Sequence, residues 1–215
     1  MCMRNSPGRN HYAATAHLLR HLRSNTRTGG ITYYADISQA PVTKLLSSIG
    51  APTDFPIVMF TDSSWQDCPD ASRSTGCYLI FCQGGIVDSA SFVPDPIALS
   101  SAEAEYQIAA FGISGCEHTR QVFQEMHGLD ADTALTIPIL TDSQSAMAMA
   151  SSDRDTRRTR HIRRRYHYVR IQISNSAHII LKIDGTLNIS DIGTKLQDYA
   201  TFLRHRAIIH TEVPP

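Results

Sequence analysis

No apolar stretch of the 215-residue chain approaches the roughly 18 residues that a membrane span needs, and the N-terminus lacks a signal-peptide pattern. Net charge is missing as well. The 20 basic residues balance the 20 acidic ones, so the whole chain has no attraction to nucleic acid or membrane, and any electrostatic footprint has to be local. Cysteine is scarce: Cys2, Cys68, Cys77, Cys82 and Cys116 are odd in number and form no Cys-x-x-Cys pair. That argues against a disulfide framework or a zinc site and suits reduced, mostly buried thiols of an intracellular protein. What the chain does have is 42% hydrophobic residues, enough for one globular domain of ordinary size plus an appendage.

The run Ile57-Val58-Met59-Phe60 leads into Thr61-Asp62-Ser63-Ser64-Trp65. β-Branched and aromatic residues in such a run predict a buried strand with Asp62 at its end, beside the core. Aspartate is a poor strand former, and an ionised carboxylate near a core is costly unless something pairs with it. Taken alone, a strand-end Asp is more often a turn or helix cap. Three further carboxylates in comparable positions change that balance.

Residues 11–24 have apolar residues at Ala14, Leu18 and Leu22 and predict an amphipathic helix stopped by Gly29-Gly30. Residues 35–56 read as a connector holding a domain boundary, with a short helix around Lys44–Ile49. After the Asp62 strand and a polar turn, Gly76–Gln83 and Ile86–Val93 predict two more strands, with Gly84-Gly85 as the central pair of a tight hairpin. The three strands form an antiparallel meander.

Ser100-Ser101-Ala102-Glu103 is a capping box opening a helix that runs to about His127. Steps of three and four from Glu105 give Ile108, Ala109, Gly112, Ile113 and Cys116, a buried stripe. From Glu103 they give Gln107, Ser114, Glu117, His118 and Gln121, a wet face. Glu103 thus has a capping task, whereas Glu105 leads the buried stripe without one. Thr136–Asp142 repeats the pattern of apolar strand, Thr, Asp, Ser, and a helix over Ser143–Met149 begins at once, so Asp142 taken alone reads as its N-cap. Residues 153–170 carry Arg154, Arg157, Arg158, Arg160, Arg163, Arg164, Arg165 and Arg170 around an apolar stripe of Ile162, Tyr166, Val169 and Ile173. Unpaired like charges at this density point to a polyanionic partner. His178–Ile183 is the last strand. Asn188 then caps a final helical stretch with Asp191 at its third position, and Asp198–Ile209 is a further amphipathic segment.

The order of elements predicts an α/β fold: a mixed five-stranded sheet, three antiparallel strands and then parallel ones, flanked by helices. Such a sheet sets the ends of the first and fourth strands side by side. Asp62 and Asp142 become neighbours, with helices bringing Glu105 and Asp191 to them. Four uncompensated carboxylates repel, and a pair of divalent cations resolves the repulsion. Hard oxygen ligands select Mg²⁺ or Mn²⁺, and two such ions roughly 4 Å apart suit phosphodiester hydrolysis.

Thr61-Asp62-Ser63, Ala104-Glu105-Tyr106, Thr141-Asp142-Ser143-Gln144 and Asp191 resemble the Asp-Glu-Asp-Asp set of ribonuclease H. More closely, Asp62–Tyr78, Ala98–Tyr106, Asp142–Ala146, Arg160-His161-Ile162, Arg165-Tyr166-His167 and Asp191-Ile192-Gly193-Thr194-Lys195 resemble the C-terminal part of copia-type retrotransposon polyproteins. His11–Tyr33 is similar to the end of the preceding reverse transcriptase region. The resemblance implies a polymerase remnant at 1–34, a connector at 35–55, a ribonuclease H-like domain at 56–205 and a tail at 206–215. It implies an intracellular endonuclease cutting the RNA strand of an RNA–DNA hybrid, working with the rest of the retrotransposon polymerase. Asp62 would bridge two Mg²⁺ or Mn²⁺ ions, Glu105 and Asp142 would hold one with it and Asp191 the other. Arg157, Arg158, Arg160, Arg163, Arg164 and Arg165 would grip the hybrid's phosphates. The chain departs from the family pattern at Ser64, where a second Asp is common. The loop Asp184–Ser190 has no histidine, and Ser89–Pro96 lacks the Lys and Trp of many relatives. The competing expectation is a catalytically idle nucleic-acid-binding or interaction module on the same fold.

Overall fold

Ile57–Cys68 is a single strand (β1), and its apolar half is buried on both faces. Ile57 and Met59 point one way and Val58 and Phe60 the other, as the two-residue period of a strand requires, and each pair joins a different core cluster. The computed structural model describes residues 12, 13, 15–17, 19, 20, 29–68, 73–95, 97–151 and 163–212. The expected stripe residues Ala14, Leu18 and Leu22 lie outside these, as do Arg154, Arg157, Arg158 and Arg160.

β2 (Arg73–Cys82) and β3 (Gly85–Phe92) continue from β1 as an antiparallel meander. β4 (Ile137–Thr141) and β5 (His178–Lys182) add in parallel on the other side, giving the strand order β3-β2-β1-β4-β5. This is the mixed five-stranded, ribonuclease H-like sheet expected from the sequence. The hairpin differs by one residue. Cys82 pairs with Gly85, so the turn is Gln83-Gly84, both at positive φ (49° and 76°). Gly85 serves close approach instead, because a Cβ there would meet the Thr32 carbonyl and the Tyr33 ring.

One face of the sheet carries the long helix α2 (Ser101–His127), with Tyr106, Ile113 and Cys116 packed on Met59, Ile80 and Ile139. Ser100 caps it by accepting from the Glu103 amide, and Gly128 ends it in the left-handed region. The expected wet face holds only beyond the second turn. Glu103 and Gln107 are 3% and 1% exposed, because the helix start is enclosed by the chain around it and Glu103 accepts from Leu99 N–H and Gln107 Nε2. α3 (Gln144–Ser151) and α4 (Arg163–Ser174) follow β4, and Val169 reaches the core from α4.

The opposite face is covered by α1 (Pro41–Ser48), within the segment read as connector. Its Val42, Leu45 and Leu46, with Ala40, pack against Val58, Phe60, Phe81 and Leu140. Backbone hydrogen bonding of Tyr34 N–H to the Gln83 carbonyl at 2.8 Å fixes the approach to this face. α5 (Tyr199–Ile209), capped by Asp198, adds Ile208 and Ile209. A two-residue antiparallel pairing sets Gly29 opposite Glu212 and Gly30 opposite Thr211. No helix among the described residues is long and apolar enough to cross a membrane.

Because Leu46 is 1% exposed in this second core, Leu46→Ala should lower unfolding free energy by about 2–5 kcal/mol. Urea unfolding of the two proteins measures it. A loss under about 0.5 kcal/mol would mean that α1 is a surface tether and no part of the folding unit.

Candidate metal centre

The parallel ladder between β1 and β4 ends at Phe60 opposite Leu140. Asp62 and Asp142 stand two residues beyond that pair in the same register, so the sheet itself sets the two carboxylates side by side. Asp62 does not end its strand as expected, because the antiparallel pairing with β2 continues past it and places Cys77 opposite. The ladder on the parallel side is what stops. Asp142 does not cap α3 either. Ser143 does so, its hydroxyl accepting from Ala146 N–H at 3.1 Å while its own N–H donates to Thr141 Oγ1. The Asp142 carboxylate is thereby left to face Asp62.

Glu105 arrives from the first turns of α2. Its Oε1 accepts from Ser63 N–H at 3.1 Å, and its buried Oε2 has no hydrogen-bond partner among the described residues. One carboxylate oxygen each from Asp62, Glu105 and Asp142 lies within 4.8 Å of the others.

Asp191 comes from the turn after β5, where the expected helical stretch capped by Asn188 is a 3-10 helix over Ile189–Gly193. Asn188 holds this turn to the sheet. Fully buried, it donates from Nδ2 to the Thr61 carbonyl at 2.9 Å and accepts at Oδ1 from Ser190 Oγ at 2.6 Å. Asp191 is absent from the three-carboxylate group and faces a cation. Lys195 Nζ lies 2.8 Å from Asp191 Oδ1 and 3.8 Å from Asp62 Oδ2, and the Thr194 hydroxyl also donates to Asp62 Oδ2. Thr194 and Lys195 are the contributors that pattern reading missed. Their signals were the three- and four-residue spacing from Asp191 and a place in the block Asp191–Lys195 that carries the resemblance, neither of which gives a role by itself.

Proton affinities record the crowding. Burial first, then the charges of Asp62 and Asp142, push Glu105 up to about 9. Burial raises Asp191 to about 7, with the Lys195 hydrogen bond opposing and Asp62 reinforcing the shift. Asp142 is raised by burial and by Asp62. Burial alone would depress the Lys195 ammonium, but its hydrogen bond to Asp191 and the charges of Asp62, Asp191 and Asp142 together raise it. An all-oxygen donor set with an unpartnered buried oxygen and acids reluctant to ionise is the chemistry that a hard divalent cation satisfies. The residues present therefore fit such an ion.

Of the arginines expected to bind phosphate, Arg163, Arg164 and Arg165 form the first turn of α4, and Arg157, Arg158 and Arg160 lie outside the described residues.

No family model matches the chain. It is similar to a Retrovirus-related Pol polyprotein from transposon TNT 1-94 of Nicotiana tabacum, at 28% identity over 191 residues, 89% of this chain. The chain spans only 13% of that polyprotein. Among solved structures, the N-terminal RNase H domain of rv2228c from Mycobacterium tuberculosis aligns with a TM-score of 0.46 at 11% identity, covering 70% of this chain and 96% of that one. LC11-RNase H1, isolated from compost and solved in complex with an RNA/DNA hybrid, aligns with a TM-score of 0.45 at 12% identity, covering 64% of this chain and 93% of that one. The chain thus resembles part of a retrotransposon polyprotein in sequence.

The raised acids make a stability prediction for the metal-free protein. Glu105 titrates at about 9 when folded and at roughly 4.3 when unfolded. Between those values the folded chain keeps a proton that the unfolded chain has lost, so stability falls as pH rises from about 5 to 9. Asp191 acts with the same sign over a narrower window, and Asp142 acts with the same sign. In chelator, Glu105→Gln should lose less Tm than wild type across this range and should exceed it at ~pH 8.5. Parallel melting curves for the two proteins would mean that Glu105 does not sit in the crowded environment described.

Proposed function

We propose that the chain is an endonuclease that hydrolyses the RNA strand of RNA–DNA hybrids with two Mg²⁺ or Mn²⁺ ions. It would act as the ribonuclease H region of a copia-type retrotransposon polyprotein, next to the reverse transcriptase. The observation that carries this reading is the convergence of Asp62, Glu105 and Asp142 within 4.8 Å at the end of the parallel ladder. The motif blocks around all four carboxylates and the likeness to a transposon polyprotein support it.

Asp62 lies between the two halves of the cluster, within reach of Glu105 and Asp142 on one side and sharing Lys195 with Asp191 on the other. Asp62, Glu105 and Asp142 would hold one ion, and Asp62 with Asp191 would hold the other. When bound, such ions would supply Lewis acidity for attack of water on the phosphodiester, with 3′-hydroxyl and 5′-phosphate ends as products. The protein's own part is orientation. Ser63 N–H aims Glu105, Asn188 fixes the turn bearing Asp191, and the Thr194 hydroxyl holds Asp62. Glu105 and Asp191 must give up their protons to serve as ligands, so ion affinity rises with pH. Gly185 is part of the design, because a Cβ there would sit 3.0 Å from Asp142 Oδ2 and crowd that ligand. Ser64 argues against a proofreading-type exonuclease, which needs an Asp-x-Glu on the first strand. The basic start of α4 and the arginines before it would hold the hybrid by its phosphates, with strand choice made through 2′-hydroxyls and groove shape.

Incubation of a hybrid bearing labelled RNA with Mg²⁺, with Mn²⁺ and with chelator tests the reading. Wild type should cut the RNA strand only with metal. Asp62→Asn and Glu105→Gln should each slow cutting by at least about a hundredfold, the scale of losing one transition-state charge stabiliser. An uncut hybrid under all three conditions sinks the nuclease and leaves the binding module.

Binding separates the arginines from a merely solvated face. Replacing Arg163, Arg164 and Arg165 together should flatten the log–log salt dependence of hybrid binding by about 1 for each phosphate left unneutralised. An unchanged slope would show that they touch no phosphate.

A further inference from the structure

The two carboxylate oxygens that Lys195 contacts, Asp191 Oδ1 and Asp62 Oδ2, belong to the pair assigned above to the second ion. The backbone around Lys195 is fixed. Its N–H donates to the Asp191 carbonyl at 3.1 Å, and the neighbouring Thr194 is 6% exposed and bound to Asp62. The side chain is 44% exposed, so the ammonium can leave by rotating its stem into solvent without moving the turn. The other half of the cluster has no such partner: Glu105 keeps a buried oxygen without any hydrogen bond among the described residues. The two halves are therefore neutralised differently: Lys195 touches the Asp191 half and acts on Glu105 and Asp142 only through its charge, without contact.

We infer that Lys195 is a built-in counterion of the Asp62–Asp191 half, and that its ammonium and a divalent ion on those two carboxylates exclude one another. This rests on the two-ion reading above.

Mn²⁺ titration followed by calorimetry and by electron paramagnetic resonance, with no nucleic acid present, tests the exclusion directly. Wild type should take up one ion in the low-millimolar range. Lys195→Met, with far-UV circular dichroism matching wild type, should take up a second, bound at least about tenfold more tightly than any second ion in wild type, because a like charge has left the site. Adding Asp191→Asn to that variant should remove the second ion, and Lys195→Arg, which keeps the cation, should bind one. Lys195→Gln replaces the Met variant should the latter fail to fold. Equal stoichiometry and affinity in wild type and Lys195→Met overturn the inference, and so does a Lys195→Met protein that binds no ion. Hybrid cleavage by wild type is read separately, so a protein that shows this exclusion yet leaves hybrid intact refutes the nuclease and not the exclusion.

Discussion

Three carboxylates with oxygens within 4.8 Å of one another, two of them on residues less than 9% exposed, are mutually repulsive in a medium that screens poorly. Left to themselves they would spread apart, so the surrounding structure has to hold them, and much of the fold bears on that task. The β1–β4 register fixes two of the three, since neither Asp62 nor Asp142 can withdraw without breaking the ladder at Phe60 and Leu140. Glu105 depends on how closely α2 lies on the sheet. Glycine at Gly112 lets the helix backbone come down on Met59, and glycine at Gly76 of β2 makes room for Ile108, because a Cβ at either position would overlap those side chains. With α2 so seated, the Ser63 amide reaches Glu105 Oε1 across 3.1 Å. Ordinary core packing thus does the mechanical work against the repulsion, which is why the acids stay together at the expense of raised proton affinity.

The same logic explains what pattern reading recovered and what it did not. Strand order and the convergence of Asp62 with Asp142 follow from apolar runs, a hairpin and parallel crossovers, all of them local signals joined by general rules of connection. Glu105 was legible because a carboxylate heading a buried stripe has no cheap structural explanation. Glu103 was misjudged for the complementary reason. A helical count finds the face turned to the sheet, but it cannot see Leu99 N–H reaching Glu103, or Pro94, Ile97 and Ala98 lying beside Gln107 on the other side. Asp142 reads as a cap in the sequence, whereas in the structure Ser143 occupies the role, a competition between adjacent residues that propensity alone does not decide. The Gln83-Gly84 turn was displaced by one position because Gly85 answers to Tyr33, a contact from fifty residues upstream. At Asp142 the deciding contact lies between neighbours; at the hairpin it is nonlocal, beyond any count along the chain.

Lys195 belongs to that class. Its spacing from Asp191 is visible in the chain, but its second partner, Asp62, lies on a different strand more than a hundred residues earlier. Once that contact is drawn, the negative charge of the centre has three ways of being balanced. Protons sit on Glu105 up to about pH 9, an ammonium sits between Asp191 and Asp62, and a hard divalent cation suits the oxygens of both halves. Proton and ammonium each oppose the divalent ion at the oxygens they hold, through linkage. A proton competes at Glu105, whose second oxygen is buried and unpartnered among the described residues, and at Asp191, where the ammonium 2.8 Å away competes as well. The two halves therefore differ in sensitivity: both answer to pH, and the Asp191 side answers in addition to whatever else the lysine can bind. Since Asp62 touches both, neither half titrates or loads independently of the other, and the carboxylate at the end of the parallel ladder is the element through which the two are coupled.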